Sequence, residues 1–384
     1  MSPAFANAQN INPELDELRR LGWEAVYNLD FDAARAKFTE LQERAPQHPA
    51  GDLLMASLTW IEQLNRSRRL QINLYRSAGF YAGAKPGKDT SSDAIPAEVD
   101  KTFRQYIGQA LTKAQALAKA NPKDAEAYYF LGAVYGMLAG YEASAARKFF
   151  SAMSDGKKSV KQLKQALKLE PELYDAYMAI GLFDYVIGSL PWIYRTFAFF
   201  GGFSGDKKEG IEQLKLVVEK GQYNRDDATL LLIGVYQQEG RLEDALALMQ
   251  GLSDRYPHNN LLKQETASIL ANMGRFDESA AIYDSLLGEQ SMRDADLIHF
   301  QYAEMLAAKG DYAAAVCHFL AVTKISGAEE SLVTRGHLRA GQMYDLAGKR
   351  DEAIAQYKIV LSRGNVFDSR EQAQRGLKQP DKKQ

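Results

Sequence analysis

Apolar residues in this chain recur three and four positions apart, in helix-length blocks that come in pairs. Residues 337–361, HLRAGQMYDLAGKRDEAIAQYKIVL, show the unit most clearly. Ala340, Gly341 and Tyr344 mark the first block, Gly348 offers a turn, and Ala353 and Tyr357 stand four apart beyond it. That period puts each set on one face of an α-helix and predicts two helices joined by a tight turn. The same pattern appears upstream. Leu21, Gly22, Ala34, Phe38 and Pro46 define a first pair over 15–48. A second opens at DLLMASLTWIEQL, but residues 66–96 intervene before its partner at 97–120. Tyr128, Leu131, Gly132 and Tyr135 open a third, whose second helix is expected at 157–169 after an insert near 141–156. Tyr177, Ile180 and Gly181 open a fourth, with an insert over 188–206 and a second helix at 207–219. Beyond it the turn glycines Gly240, Gly274, Gly310 and Gly348 lie 34, 36 and 38 residues apart.

This unit resembles the tetratricopeptide repeat, a helix–turn–helix of about 34 residues with Leu-Gly and Tyr on its first helix, Ala and Phe/Tyr on its second, then Pro. The resemblance implies an all-α chain: a right-handed superhelical solenoid of about eight repeats, with inserts in repeats 2–4. A tail would occupy 1–14, an enlarged array 15–225, regular repeats 226–367, and a capping helix with its tail 368–384. Small residues at Gly22, Gly132, Gly181 and Gly341, met by Ala34, Ala245, Ala315 and Ala353, would let paired helices approach closely.

Equivalent turns of a solenoid align along one edge, so the three inserts are expected to gather there. The last, SLPWIYRTFAFFGGFSGD, carries Trp192, Tyr194, Phe197, Phe199, Phe200 and Phe203. It reads as a plug folded onto the core, a lid over an apolar ligand, or a wedge into a membrane surface. Asp206 and Glu209 have the spacing of a helix cap. The run from Gly181 to Gly210 is similar to exported bacterial tetratricopeptide proteins of uncharacterised activity. More distantly, it is similar to a eukaryotic family implicated in clearing inclusions at lipid droplets and mitochondrial membranes. Both resemblances cover about 15–260 and imply fold and export more than an activity.

Composition narrows the partners. Net charge is -2, which does not favour nucleic acid. Residues 226–384 carry 18 Lys+Arg against 23 Asp+Glu, so the acidic excess lies there. The lone Cys317 excludes an internal disulfide and reads as a small core residue. Ala4-Phe5-Ala6 has the form of a signal-peptidase site, so a periplasmic or otherwise exported location is expected, the alternative being cytoplasmic.

Such arrays bind through first-helix positions on the concave face. Projection puts Trp23, Tyr27, Tyr129, Phe130, Met178 and Tyr185 there in the N-terminal half, an apolar lining suited to a hydrophobic ligand. In the C-terminal half it gives polar residues, among them Glu265, Ser268, Asn272, Gln301, Glu304, Arg335, Arg339 and Gln342, suited to a peptide. Arg66, Arg68, Arg69 and Arg76 form an acid-free run, a candidate basic edge for an anionic membrane surface. His299 and His337 occupy equivalent positions in adjacent repeats, a weak metal signal. GGFSGDK lacks the Gly-Lys-Ser/Thr ending of a phosphate loop. No catalytic constellation and no cofactor motif emerges. The reading is a non-catalytic scaffold for a protein or peptide. The competing reading is a carrier or sensor of a lipid-like molecule, or a peripheral membrane adaptor, using the aromatic groove and residues 189–206.

Overall fold

A computed structural model describes residues 13–71, 94–146, 148–190, 202–288 and 294–382. Among them are seventeen α-helices, one short 3-10 turn and no strand. In chain order these are α1 (Pro13–Tyr27), α2 (Phe31–Arg44), α3 (Pro49–Arg66), α4 (Ala97–Ala120), α5 (Ala125–Ser144), α6 (Phe149–Leu169), α7 (Tyr177–Gly188), α8 (Lys207–Lys220) and α9 (Arg225–Gln238). They continue as α10 (Leu242–Arg255), α11 (Asn260–Asn272), α12 (Phe276–Gly288), α13 (Ala295–Lys309), α14 (Tyr312–Val322), α15 (Glu330–Leu346), α16 (Arg350–Leu361) and α17 (Ser369–Lys378). The chain forms two compact units, residues 1–63 with 95–236 and residues 64–94 with 237–384. In the first, α1 packs on α2, and α4 to α8 pack each on the next; in the second, α10 to α17 do the same.

Local chemistry starts and stops these helices where the sequence pattern places them. Asp206 accepts from the backbone N–H of Lys208 and Glu209 at 2.8 and 2.9 Å, capping α8. Asp30, Asp124, Asn259, Asp311 and Glu329 likewise cap the helices that follow them. The turn glycines Gly240, Gly274, Gly310 and Gly348 have φ of +72°, +76°, +90° and +74°. That left-handed conformation closes a helix at little cost only when no Cβ is present.

The small-residue seams are as tight as the pattern requires. A Cβ on Gly22 would lie 2.2 Å from the Phe38 ring, one on Gly132 2.4 Å from Leu163, and one on Gly181 2.8 Å from the Gly210 carbonyl oxygen. At Gly341 it would lie 2.8 Å from the Tyr357 ring. Gly22 and Gly341 each receive an aromatic ring from the equivalent place on the partner helix, Gly132 a leucine and Gly181 a backbone carbonyl; Ala34, Ala245, Ala315 and Ala353 are fully buried. Gly341→Leu is expected to overpack its seam and cost about 1–3 kcal/mol. An unchanged thermal midpoint would show that the seam has room to spare.

Two expectations need correction. Residues 141–156 are not an insert in a turn: α5 runs to Ser144 and α6 starts at Phe149, so the third repeat has longer helices instead. Within α6, Gly156 faces the Phe183 ring, where a Cβ would lie 3.0 Å from it. Cys317 is exposed, not core. Its helix is apolar almost all round, so composition marks no inner face; the buried stripe is Ala315, Val316, Phe319 and Val322.

Candidate functional site

The aromatic residues expected to line an open N-terminal groove are instead tied to one another within the first unit. Tyr27, from α1, donates its hydroxyl hydrogen to Asp227 on α9, and both Tyr27 and Tyr185 are buried. Trp23 packs against Tyr27 and, edge-on, against Phe38, at centroid distances of 6.2 and 6.0 Å. Asn224 donates to the Tyr129 hydroxyl at 3.0 Å. Phe130 is buried edge-on to the His48 ring, and Met178 is half-buried. Burial pushes the Asp227 carboxyl up to about 6, against the pull of the Tyr27 hydrogen bond. A hidden apolar face is legible in sequence; what hides it is not. Of the proposed lid, Trp192, Tyr194, Phe197 and Phe200 lie outside the described residues. Phe203 is within them and has the Lys157 ammonium 5.0 Å from its ring centroid.

The basic edge also changes character. Arg66 is exposed and Arg76 lies outside the described residues. Arg68 is ion-paired with Asp294 at 2.5 Å and Asp296 at 3.0 Å, and Arg69 is only 4% exposed, stacked over Phe367. Arg68 pairs inside the second unit because two carboxylates distant in sequence meet it there, while Arg69 is buried against a ring. They are not available to a membrane surface.

The second unit contains a pocket of about 780 Å³. Its lining is built from first helices of successive repeats. Glu265, Gln301 and Arg339 each stand nine residues before the turn glycine of their repeat; Ser268, Glu304 and Gln342 each stand six before it. Two rows of polar side chains thus run across α11, α13 and α15. All six were projected from sequence. Gln71, Phe367, Gln372, Arg375 and Asp381 complete the wall and were not. Gln71 lies within the 66–96 insert, which carries no repeat signature; Phe367 ends the regular repeats, and Gln372, Arg375 and Asp381 belong to the segment read only as a cap.

Within the lining two arginines one helical turn apart differ in partnership. Arg339 makes a bidentate pair with Glu304, two bonds of 2.7 Å, and donates a third of 2.7 Å to Gln342. Burial works against its charge, but Glu304 outweighs that and holds its pKa above the ordinary value. Arg335 has no ion pair or hydrogen bond among the described residues. Its guanidinium lies 4.4 Å from the Phe300 ring centroid and 5.6 Å from that of Phe367. Burial lowers its pKa to about 10. Nearby, Gln301 Oε1 is buried without a hydrogen-bond partner among the described residues. Such groups carry a desolvation cost until something meets them.

The histidines do not gather around a ligand. His299 Nδ1 lies 2.9 Å from His318 Nδ1, while His337 Nδ1 lies 2.8 Å from Gln356 Oε1. The nearest partner of each is therefore on the second helix of its own repeat, not on the next repeat. Among the described residues no group of three or more His, Cys, Asp or Glu is placed to hold a metal ion. No helix among them is long and apolar enough to cross a membrane.

Comparison with known proteins places these features. Residues 90–274, just under half of the chain, match the family described as regulator of microtubule dynamics protein 1-3. Residues 265–329 match the tetratricopeptide repeat. No curated protein matches the chain. Among solved structures, the chain is similar to yeast Tom70, at 13% identity over 96% of this chain and 89% of that one, with a TM-score of 0.42. It is similar to a human IFIT1 dimer with m7Gppp-AAAA, at 13% identity over 95% and 85%, with a TM-score of 0.46. A Thermus thermophilus repeat protein, TTC0263, is 18% identical over 67% and 98%, with a TM-score of 0.36. Residues 265–329 of the second unit are thus tetratricopeptide repeat, and the helix–turn–helix pattern read off residues 337–361 continues the same all-helical, repeat-like fold.

Proposed function

We propose that the chain is a non-catalytic scaffold that holds an extended segment of a partner protein along the first-helix face of its second unit. One observation carries this reading. The repeats place two rows of polar side chains at equivalent positions, and those rows line the 780 Å³ pocket. A pocket of this size and polarity suits a short stretch of peptide, whose backbone needs donors and acceptors at regular intervals. Amides such as Gln301 and Gln342 supply both. The competing lipid-carrier reading needed an open aromatic channel in the first unit, and the Tyr27–Asp227 and Asn224–Tyr129 hydrogen bonds favour no such channel.

The test is comparative capture from cells that express the protein. A Gln301→Ala/Gln342→Ala variant is expected to lose the partner recovered by the parent chain, by about tenfold. Thermal unfolding checks that the variant is folded. Equal recovery by parent and variant would remove the groove from consideration.

A further inference from the structure

We propose that Arg335 is the receptor for an acidic side chain borne in mid-segment by the partner peptide. This deepens the groove reading above and rests on it. The argument starts from an imbalance of charge. Arg335 projects from α15 into the pocket between the rings of Phe300 and Phe367, and no carboxylate or carbonyl among the described residues bonds to it. The acids whose fields reach it are already engaged. Glu304 is bound through both oxygens to Arg339, and Glu329 caps α15 through the Leu332 N–H while accepting from the Ser331 hydroxyl. The other charges near Arg335, those of Arg69 and Arg339, are positive and add to the excess.

A guanidinium in this setting has lost much of its water without gaining an acceptor. Aromatic faces offset part of that loss. They also hold the planar group in one orientation, so little freedom remains to be lost when a ligand arrives. The group that such a fork matches best is a carboxylate, which accepts two parallel N–H bonds. Arg339, one turn away, shows that geometry already formed with Glu304.

The position of Arg335 decides where on the ligand the carboxylate sits. Pocket-lining residues continue on both sides of α15: Ser268 and Asn272 on α11 in one direction, Gln372 and Arg375 on α17 in the other. A segment that fills the pocket therefore extends past Arg335 in both directions. Its anionic group belongs to an internal Glu or Asp, not to a chain end. Arg375, exposed on α17, adds positive charge at one side of the lining and selects against basic flanking residues there.

The test uses three pools of peptides of about seven residues with randomised flanks, a length matched to the pocket. The first has a central Glu and both ends capped. The second is identical with a central Gln. The third has the central Gln and a free C-terminal carboxylate. Retention on the full chain is read by equilibrium dialysis and mass spectrometry at low salt, with inorganic phosphate as competitor. The Glu pool is expected to be retained about tenfold better than the Gln pool, consistent with a charge-assisted pair. Arg335→Gln is expected to abolish the difference. Arg335→Lys, which keeps the charge but loses the fork, is expected to recover only part of it and guards against a folding artefact. Equal retention of Glu and Gln pools, lost in Gln301→Ala/Gln342→Ala, would overturn the Arg335 assignment and leave the peptide groove standing. Retention of no pool would overturn both. Stronger retention of the free-carboxylate pool, or displacement of the Glu pool by millimolar phosphate, would overturn the mid-segment carboxylate in favour of a chain-end or phosphate site.

Discussion

Gly210→Ala is expected to destabilise the first unit by about 3 kcal/mol, whereas Gly108→Ala is expected to stabilise it by about 0.5–1 kcal/mol. Both glycines lie inside helices, so propensity alone predicts a gain at each. Their surroundings decide otherwise. A Cβ on Gly210 would lie 2.5 Å from the Gly181 carbonyl oxygen and 2.5 Å from the Tyr185 backbone nitrogen. Those are backbone atoms of α7 and cannot swing aside as a side chain tip does. The methyl group could fit only if α7 and α8 moved apart, which would open the seam that buries Ile180, Leu214 and Val217. On Gly108 a Cβ would meet nothing within 4 Å. Urea unfolding followed by circular dichroism reads both effects. Two shifts of the same sign would refute the seam argument.

Asp345→Ala is expected to cost about 3–5 kcal/mol in the second unit and to release its terminal helix. The Asp345 side chain is shielded from solvent and gathers three donors. Arg350 reaches it at 2.8 and 3.0 Å, the Tyr357 hydroxyl at 2.9 Å, and the Asp381 backbone N–H at 2.9 Å. Burial, and then the Asp345 bond, hold the Tyr357 hydroxyl well above its ordinary pKa, so that hydroxyl stays a donor. Arg350 in turn donates to the carbonyls of Gly376 and Leu377 at the end of α17. One carboxylate therefore links α15, α16 and α17. Its loss strands a buried hydroxyl and leaves a half-buried guanidinium without its counter-charge. Hydrogen exchange across 369–378 should rise to near that of the free chain, with Asp351→Ala, on the exposed face of α16, as the neutral comparison. Unaltered exchange there would mean that α17 is held by its apolar contacts alone, chiefly Gly376 and Ala373 around Tyr357.

How much of this was legible depends on the range of the interaction. The spacing of Gly240, Gly274, Gly310 and Gly348 located the turns because a left-handed residue is a local requirement of the backbone. Gly22, Gly132, Gly181 and Gly341 located the seams because the two helices of a repeat meet at a fixed register. Counting back from the turn glycines also found the rows containing Glu265, Gln301 and Arg339 and containing Ser268, Glu304 and Gln342. Each row follows from the 3.6-residue period and the near-constant length of the repeat. Residues 141–156 were read as an insert, but the two helices of the repeat extend into them, and Gly156 lies within α6 against the Phe183 ring.

The sequence by itself determined the repeat: an all-helical chain, its hairpins, their caps and turns, and which first-helix positions stand in register. Those properties depend on hydrogen bonds and packing within a few dozen residues. Tertiary structure alone decided which of the registered positions are occupied by the chain itself. Tyr27 and Asp227, 200 residues apart, close on each other in the first unit. Arg68 finds Asp294 and Asp296, while Arg335 meets two rings and, among the described residues, no ion-pair or hydrogen-bond partner. Whether a charge is met by a distant partner depends on how small rotations accumulate from repeat to repeat, and no local period in the sequence encodes that sum.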